Sequence, residues 1–263
     1  FGGTSVADVD RIKAVRDIIC SEVKNGWNVV AVVSAMSKET NKLIDLAKQV
    51  GVESLVDPEY DSLISTGEDV SSSLLAIALN SVGISSRSWR GWQLPLRTDS
   101  FHSNAKIEEI ETKKILTNFK EGIKVAVVSG FQGIEQSGRI TTLGRGGSDT
   151  SAVAIAAAID AERCDIYTDV SGIYTTDPRI KKNASKLKKI SFEEMLEMAS
   201  LGANVLQTRA VELAMRHKVP ITVLTSFSKE KGTLVCDEEE IMEKNIVSGI
   251  AFQKNESQIT LTN

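Results

Sequence analysis

Two valine-rich runs set the frame of the chain. Residues 29–33 are uninterrupted apolar positions, and 123–129 is a second run dominated by valine. Strands buried on both faces carry this pattern, and it belongs to parallel sheets. Helical spacing surrounds them. Ile12, Val15, Ile19 and Val23 form one stripe, with Asp8 or Asp10 as its cap and Gly26 as its stop. Thr40 or Asn41 is predicted to open a second helix through Leu43, Ile44, Leu46 and Val50, closed by Gly51. After a mixed stretch with a turn at Asp57-Pro58, Ser65-Thr66-Gly67-Glu68-Asp69 leads into a helix expected to turn Val70, Leu74, Leu75 and Ile77 inward. A short strand over 84–89, a loop at Thr98-Asp99-Ser100, a helix over 110–120 and a hairpin turn at 136–139 follow. Residues 152–159 read as a tightly packed alanine helix, with Ser148, Asp149 and Thr150 as N-cap candidates. The rest predicts a strand at 164–168, a Ser191-capped helix through Met195 and Met198 to Gly202, a helix at 203–217 and a strand at 219–224. Strands alternating with helices imply an open, mainly parallel sheet covered on both sides. From 229 to 245 the chain turns polar and acidic and reads as a linker; 246–261 resumes as short strand-like pieces.

Composition narrows the function classes. The 263 residues suit one large α/β domain, or a domain plus a fragment of another, and 41% apolar content supports a sizeable core. A net charge of −4 argues against bulk phosphate-backbone binding, and the Trp89-Arg90-Gly91-Trp92 stretch is too small for a nucleic-acid surface. Core packing or a subunit contact is the reading for those tryptophans. The cysteines Cys20, Cys164 and Cys236 are far apart and form no CxxC pair, so neither a disulfide framework nor a zinc site is expected. The two histidines, His102 and His217, lie in unrelated segments, which leaves a histidine triad or cluster without support. No apolar run approaches a membrane span, and the expected compartment is the cytoplasm.

The chemistry concentrates in residues 143–160, LGRGGSDTSAVAIAAAID. Gly144, Gly146 and Gly147 permit positive φ and close ligand approach, and they feed a helix N-terminus whose N–H groups and dipole favour an anion. A plain strand-to-helix turn has the same glycines but needs neither Arg145 nor Asp149. Gly2-Gly3-Thr4-Ser5 is a second anion-cradle candidate. A hydroxyl- and charge-rich loop from Thr168 to Arg179 follows a strand, where parallel-sheet enzymes place functional loops. The basic run 181–189 reads as a solvated face, with a phosphate lid as the minority reading. No GxGxxG follows the first valine strand, against a dinucleotide-binding dehydrogenase.

FGGTSV, SAMSKETNKL, STGEDVSS, GFQG, TTLGRGGSDTSA, TDVSGIYTTDPR and GANVLQTRAVELA occur in this order over nearly the whole chain. Together they resemble aspartate kinases of the amino-acid-kinase superfamily. The resemblance implies an α/β fold, a three-layer αβα sandwich in two lobes: about 1–135 for the amino acid and 136–228 for the nucleotide, then a linker at 229–245 and the truncated start of an ACT regulatory domain at 246–263. It implies ATP and Mg²⁺, with the ion carried mainly by the phosphates, transfer of the γ-phosphoryl group to the β-carboxylate of L-aspartate, a homo-oligomer, and no nucleic-acid or membrane partner. Glutamate kinase, acetylglutamate kinase and uridylate kinase share the fold; SAMSKETN and STGED favour aspartate.

Carried over position by position, the resemblance places Gly2, Gly3, Thr4 and Ser5 in the first phosphate-and-substrate loop. Thr40 and Glu68 hold aspartate, with Glu68 opposite its ammonium. Arg145 clamps the α-carboxylate with Ser148 beside it, and Asp149 orders the catalytic loops. Thr168, Asp169, Tyr174, Asp177 and Arg179 belong to the nucleotide loop. Two departures stand out. In the family a lysine on the first strand directly precedes FGGTS, whereas here the sequence starts at Phe1. If that lysine is missing, activity is expected to be nearly lost, which a kinase assay against a chain extended through the strand would show; a non-catalytic subunit is then the rival reading. Some relatives also carry a phosphate-contacting lysine where this chain has Asn204, so either a cation from 181–189 substitutes for it or the role is dispensable. With only the opening of the ACT region, feedback inhibition by lysine or threonine is expected to be absent.

Overall fold

The computed structural model describes residues 1–52, 54, 56–203, 205–241 and 249–251. In chain order the elements are α1 (Val9–Lys24), β1 (Val29–Val33), α2 (Glu39–Val50), α3 (Pro58–Ile64), α4 (Thr66–Asn80), β2 (Ser86–Trp89), β3 (Leu96–Thr98), β4 (Ile107–Ile110), α5 (Lys113–Lys120), β5 (Val125–Ser129), β6 (Gln132–Ile134), β7 (Ile140–Thr142), α6 (Gly147–Ala158), β8 (Cys164–Thr168), β9 (Lys189–Ser191), α7 (Phe192–Ser200), α8 (Thr208–His217), β10 (Ile221–Thr225) and β11 (Thr233–Cys236).

The valine runs become β1 and β5, paired in parallel from Val29↔Val125 to Val33↔Ser129, and β2 joins β5 on its other edge, also in parallel. Every residue of β5 is buried. Its side chains alternate between two cores, as a strand's period of two requires. Val125 and Val127 join Ala31 and Val33 against α1 and α4, whereas Ala126 and Val128 join Val32, Trp89, Ile115 and Ile155 on the opposite side, under α5 and α6. This double burial is what makes the segments continuously apolar. A second sheet, ordered β8-β10-β11-β9, packs on α6, α7 and α8 through a core that includes Phe192, Met195, Ala210, Ile221 and Val235. A third, small sheet is ordered β4-β3-β6-β7. The architecture is mixed α/β with mostly parallel pairings. Among the described residues its strand pairings fall into three hydrogen-bonded sheets. Phe1 and Gly2 tie the first two together. The Phe1 nitrogen donates to the Val32 carbonyl, the Gly2 N–H donates to the Tyr167 carbonyl, and the Phe1 ring stacks on Tyr167.

Several local expectations are corrected. Residues 58–64 form a helix, capped by Asp57 with Pro58 in its first turn. On α4, Val70 and Ile77 are exposed; the inward face is Glu68, Ser71, Ser72, Leu75 and Leu79, a polar end on an apolar stripe. On α2 the buried position is Ala47, with Leu46 and Val50 exposed, and the helix starts at Glu39 behind Lys38 in the left-handed region. Thr98 ends a strand instead of lying in a loop, and the predicted helix 110–120 starts only at Lys113 because 107–110 pairs with β3. The helix read over 203–217 covers only Thr208–His217. Residues 233–236, assigned to a linker, form β11 between β10 and β9. The Ser191 capping box is present, with the Ser191 hydroxyl accepting from Glu194 N–H and the Glu194 carboxylate accepting from Ser191 N–H.

Candidate active site

The carboxyl ends of β1 and β8 open onto one cleft of about 860 Å³. This is the end at which open α/β sheets bind ligands. Its walls include Gly2–Thr4, residues 34–38 after β1 with Thr40 and Asn41 of α2, Glu68 at the start of α4, and residues 144–149 running from the loop after β7 into the first turn of α6, with Thr168 from the end of β8. Gly2, Gly3, Thr4, Thr40, Glu68, Arg145, Ser148, Asp149 and Thr168, singled out above from distant parts of the sequence, therefore share one cavity.

The 143–150 loop works through backbone shape. Gly144 and Gly146 sit at φ 76° and 69°, where an L side chain is strained. A Cβ on Gly146 would also fall 1.8 Å from the Gln207 Cγ, so only glycine fits. Gly146 is the N-cap of α6, without a side-chain cap. The predicted caps do other things. Thr150 Oγ1 donates back to the Gly146 carbonyl, and Ser148 and Asp149 lie within the first turn. The backbone N–H groups of Ser148 and Asp149 have no partner among the described residues. An α-helix leaves its first N–H groups free unless something caps them, so two donors and the positive dipole end face the cleft. Arg145 is exposed and its guanidinium has no ion pair or hydrogen bond among the described residues. The loop is thus a cationic, donor-rich wall with unspent capacity for an anion.

Another part of the lining is acidic. Glu68 is 3% exposed; Oε1 accepts from the Ala35 N–H at 2.9 Å, and Oε2 has no partner among the described residues. Burial pushes its carboxyl up to about 8, with Asp69 adding to the rise and the Ala35 and Glu68 N–H groups opposing it. Gly67 permits this seat, because a Cβ there would lie 2.8 Å from the Ala35 Cβ. Asp69 is spent differently, accepting from Ser129 and Gln132 and pairing with Arg90. Burial also raises the Asp149 carboxyl above the ordinary carboxylate range, and it has no hydrogen-bond or ion-pair partner among the described residues.

The remaining predicted residues stand apart. Ser5 is fully buried, its hydroxyl accepting from Ser226 and directed at the Tyr167 carbonyl, so it braces the first loop from below and does not line the cleft. Asp169 accepts from the Thr168 hydroxyl, and Tyr174 pairs with Ser171. Asp177 and Arg179 form a forked pair on the surface, which lowers the Asp177 carboxyl. None of these four lines the cleft. Asn204 lies outside the described residues. Sequence reading missed Lys38, an exposed cation on the cleft wall with φ 68° and no ion-pair partner among the described residues. In the run 181–189, by contrast, Lys186 pairs with Glu230 and Lys189 donates to the Glu240 carbonyl. Asp61 and Ser103 were missed as well; among Asp57, Glu59 and Ser62, Asp61 carries no mark in the sequence that sets it apart as buried.

Comparison with known proteins agrees with this geometry. The amino acid kinase family matches residues 1–225. An aspartate kinase of Pseudomonas fluorescens is 54% identical over 263 residues, covering 99% of this chain and 63% of the relative; this chain therefore spans under two thirds of the length of the curated relatives it matches. The crystal structure of aspartate kinase from Synechocystis is 47% identical, with a TM-score of 0.79 over 90% of this chain and 39% of that one. E. coli aspartokinase III, crystallised in complex with aspartate and ADP, is 31% identical, with a TM-score of 0.80 over 90% of this chain and 63% of that one. A matching family over most of the sequence, relatives near half identity and the same fold make the chain a member of the amino acid kinase family.

Proposed function

We propose that this chain forms the catalytic unit of an ATP-dependent aspartate kinase, which transfers the γ-phosphoryl group of ATP to the β-carboxylate of L-aspartate. The observation that carries the reading is the pairing, across one cleft, of a buried Glu68 with a free carboxylate oxygen and an Arg145 with a free guanidinium. Glu68 suits an ammonium, and Arg145 suits a carboxylate, which its fork holds in bidentate fashion. An α-amino acid offers both groups. Thr40 and Ser148 add hydroxyls on the same cavity walls. The proteins named above as aspartate kinases support the choice of amino acid.

The β-carboxylate of aspartate is ionised near neutrality and needs no general base. One of its oxygens attacks the γ-phosphorus, the bond from that phosphorus to the β-phosphate bridging oxygen breaks, and ADP leaves with the electron pair. The product is aspartyl phosphate. Catalysis then rests on holding two anions together and stabilising charge on the phosphoryl oxygens. The N–H groups of Ser148 and Asp149, the Gly2–Thr4 loop and Lys38 supply that field from the cleft walls. Mg²⁺ takes oxygen ligands and keeps phosphates and waters in its shell. Asp149 is a carboxylate on the cleft wall available to an ion held mainly by phosphates. Bound there, the ion would neutralise phosphate charge. Thr168, at the end of β8, with the 168–179 loop, is assigned to the nucleotide side.

Release of ADP by the protein carrying this chain, with aspartate, glutamate or UMP as acceptor, tests the reading. Aspartate-dependent release is expected; turnover with glutamate or UMP and none with aspartate would refute it.

A further inference from the structure

Asp61 lies outside the cleft walls, yet it is 0% exposed and accepts from five donors. They come from two separate segments. His102 Nδ1 lies 2.9 Å from Oδ2, and the Ser103 N–H and hydroxyl both reach the carboxylate. The Thr142 N–H donates to Oδ2 at 2.8 Å and its hydroxyl to Oδ1 at 2.7 Å. α3 thus grips the 102–104 turn and the end of β7 through one side chain. Both segments border the substrate: Ser103 and Thr142 line the cleft, and Thr142 stands three residues before Arg145.

The grip holds a conformation the chain does not favour. Ser103 has φ 65°, left-handed for a residue with a side chain. Its carbonyl and the Asn104 side chain abut Gly144, at 3.1 and 2.9 Å from where a Cβ would stand. Ala105 N–H donates to the Thr142 carbonyl, and Arg209 donates to both the Ala105 and Leu143 carbonyls. The strap carrying Arg145 is therefore wedged between this turn and α8, with Asp61 fastening turn and strap to the same point. The walls assigned to the nucleotide, Thr168 and the loop after β8, have no bond to Asp61.

We propose that Asp61 is a positioning residue that sets the place of Arg145, and with it the affinity for the amino-acid substrate, through the strained 102–104 turn and the end of β7. The inference rests on the assignment of Arg145 to the substrate carboxylate. It predicts a split that general destabilisation does not produce. In Asp61→Asn, KM for aspartate rises about tenfold or more, the scale of losing hydrogen bonds to a charged group, while KM for MgATP changes less than about twofold. His102→Asn, whose side-chain amide can replace the ring Nδ1 donor, keeps aspartate KM within about twofold of the wild type, whereas His102→Leu raises it several-fold. Amide hydrogen exchange is measured on the same proteins. Faster exchange at 102–105 and 142–147, with α1 unchanged, is expected in Asp61→Asn and His102→Leu. Should Asp61→Asn fail to fold, the His102 pair carries the test.

Equal rises in KM for both substrates, or an unchanged aspartate KM with kcat falling alongside the folded fraction, would overturn the proposal. Unchanged exchange at 102–105 and 142–147 would do the same. A wild-type protein with no aspartate-dependent turnover would overturn the functional reading instead, and the exchange data would still decide whether Asp61 holds the strap.

Discussion

Arg145 and Asp149 lie four residues apart on one loop, but their surroundings assign them different work. Arg145 is exposed, charged and unpaired; Asp149 is pushed up by burial at the first turn of α6. Arg145→Lys keeps the charge and loses the fork, so aspartate KM is expected to rise about tenfold with kcat little changed. Asp149→Ala is expected to lower kcat by roughly a hundredfold or more, the scale of losing one polar group that acts in the transition state. Steady-state kinetics of the two variants check both. Glu68 adds a pH signature. Its carboxyl sits at about 8 in the fold against an ordinary 4.5. Between those values the native state holds the proton and the unfolded chain releases it. Glu68 therefore costs nothing below 4.5, lowers stability by roughly 1.4 kcal/mol per pH unit through the window, and adds no further loss above 8. Urea titrations from pH 5 to 8 should show this slope in the wild type relative to Glu68→Gln. A bound ammonium relieves the same cost, so amino-acid affinity should climb with pH toward 8, a trend lost in the glutamine variant. These roles were legible in the sequence only through the ordered motifs; spacing alone cannot say that a carboxylate in the first turn of a helix is buried against Ala35.

At the scale of elements, legibility followed the strength of the local pattern. β1, β5 and α1 lie where the valine runs and the 3.6-residue stripe put them, because strands buried on two faces admit few polar positions. α3 went unread because its seven residues carry a buried aspartate where a short amphipathic helix would show an apolar residue. The inward face of α4 differs for a related reason: Glu68, Ser71 and Ser72 face the sheet, where Ala35 N–H bonds Glu68 Oε1, and the Ser34 carbonyl and Ser129 bond the two hydroxyls. Tertiary hydrogen bonds of that kind leave no periodic trace. β11 was read as linker because its apolar residues are few and flanked by charge. The α6 N-terminus yields a test of its own. Gly146→Ala meets both a positive φ and the Gln207 side chain, and is expected to cost about 1–3 kcal/mol. Adding Gln207→Ala removes the Cγ and Cδ clashes and leaves the Cβ contact at 2.6 Å, so denaturant midpoints should recover in part. Full recovery would mean that the backbone angle carries no strain.

The whole molecule places an acidic group, Glu68, and a cationic loop around one cleft, at the end where β1 and β8 stop. Separate cores stand behind the two sheets, and contacts between distant segments hold them in register. Phe1 and Gly2 link β1 to β8, while Arg11 donates to Ser226 and stacks on Phe227. These long-range ties were invisible in the sequence, since their partners lie far apart along the chain. The proposed activity of this cleft is phosphorylation of the side-chain carboxylate of aspartate. Hydroxylamine converts an acyl phosphate into a hydroxamate and so records which carboxyl group was activated. With ATP, Mg²⁺, aspartate and hydroxylamine, the protein carrying this chain should form the β-hydroxamate of aspartate in step with ADP, and Arg145→Lys should need more aspartate to do so. ADP release without hydroxamate, or hydroxamate on the α-carboxyl, would contradict the account.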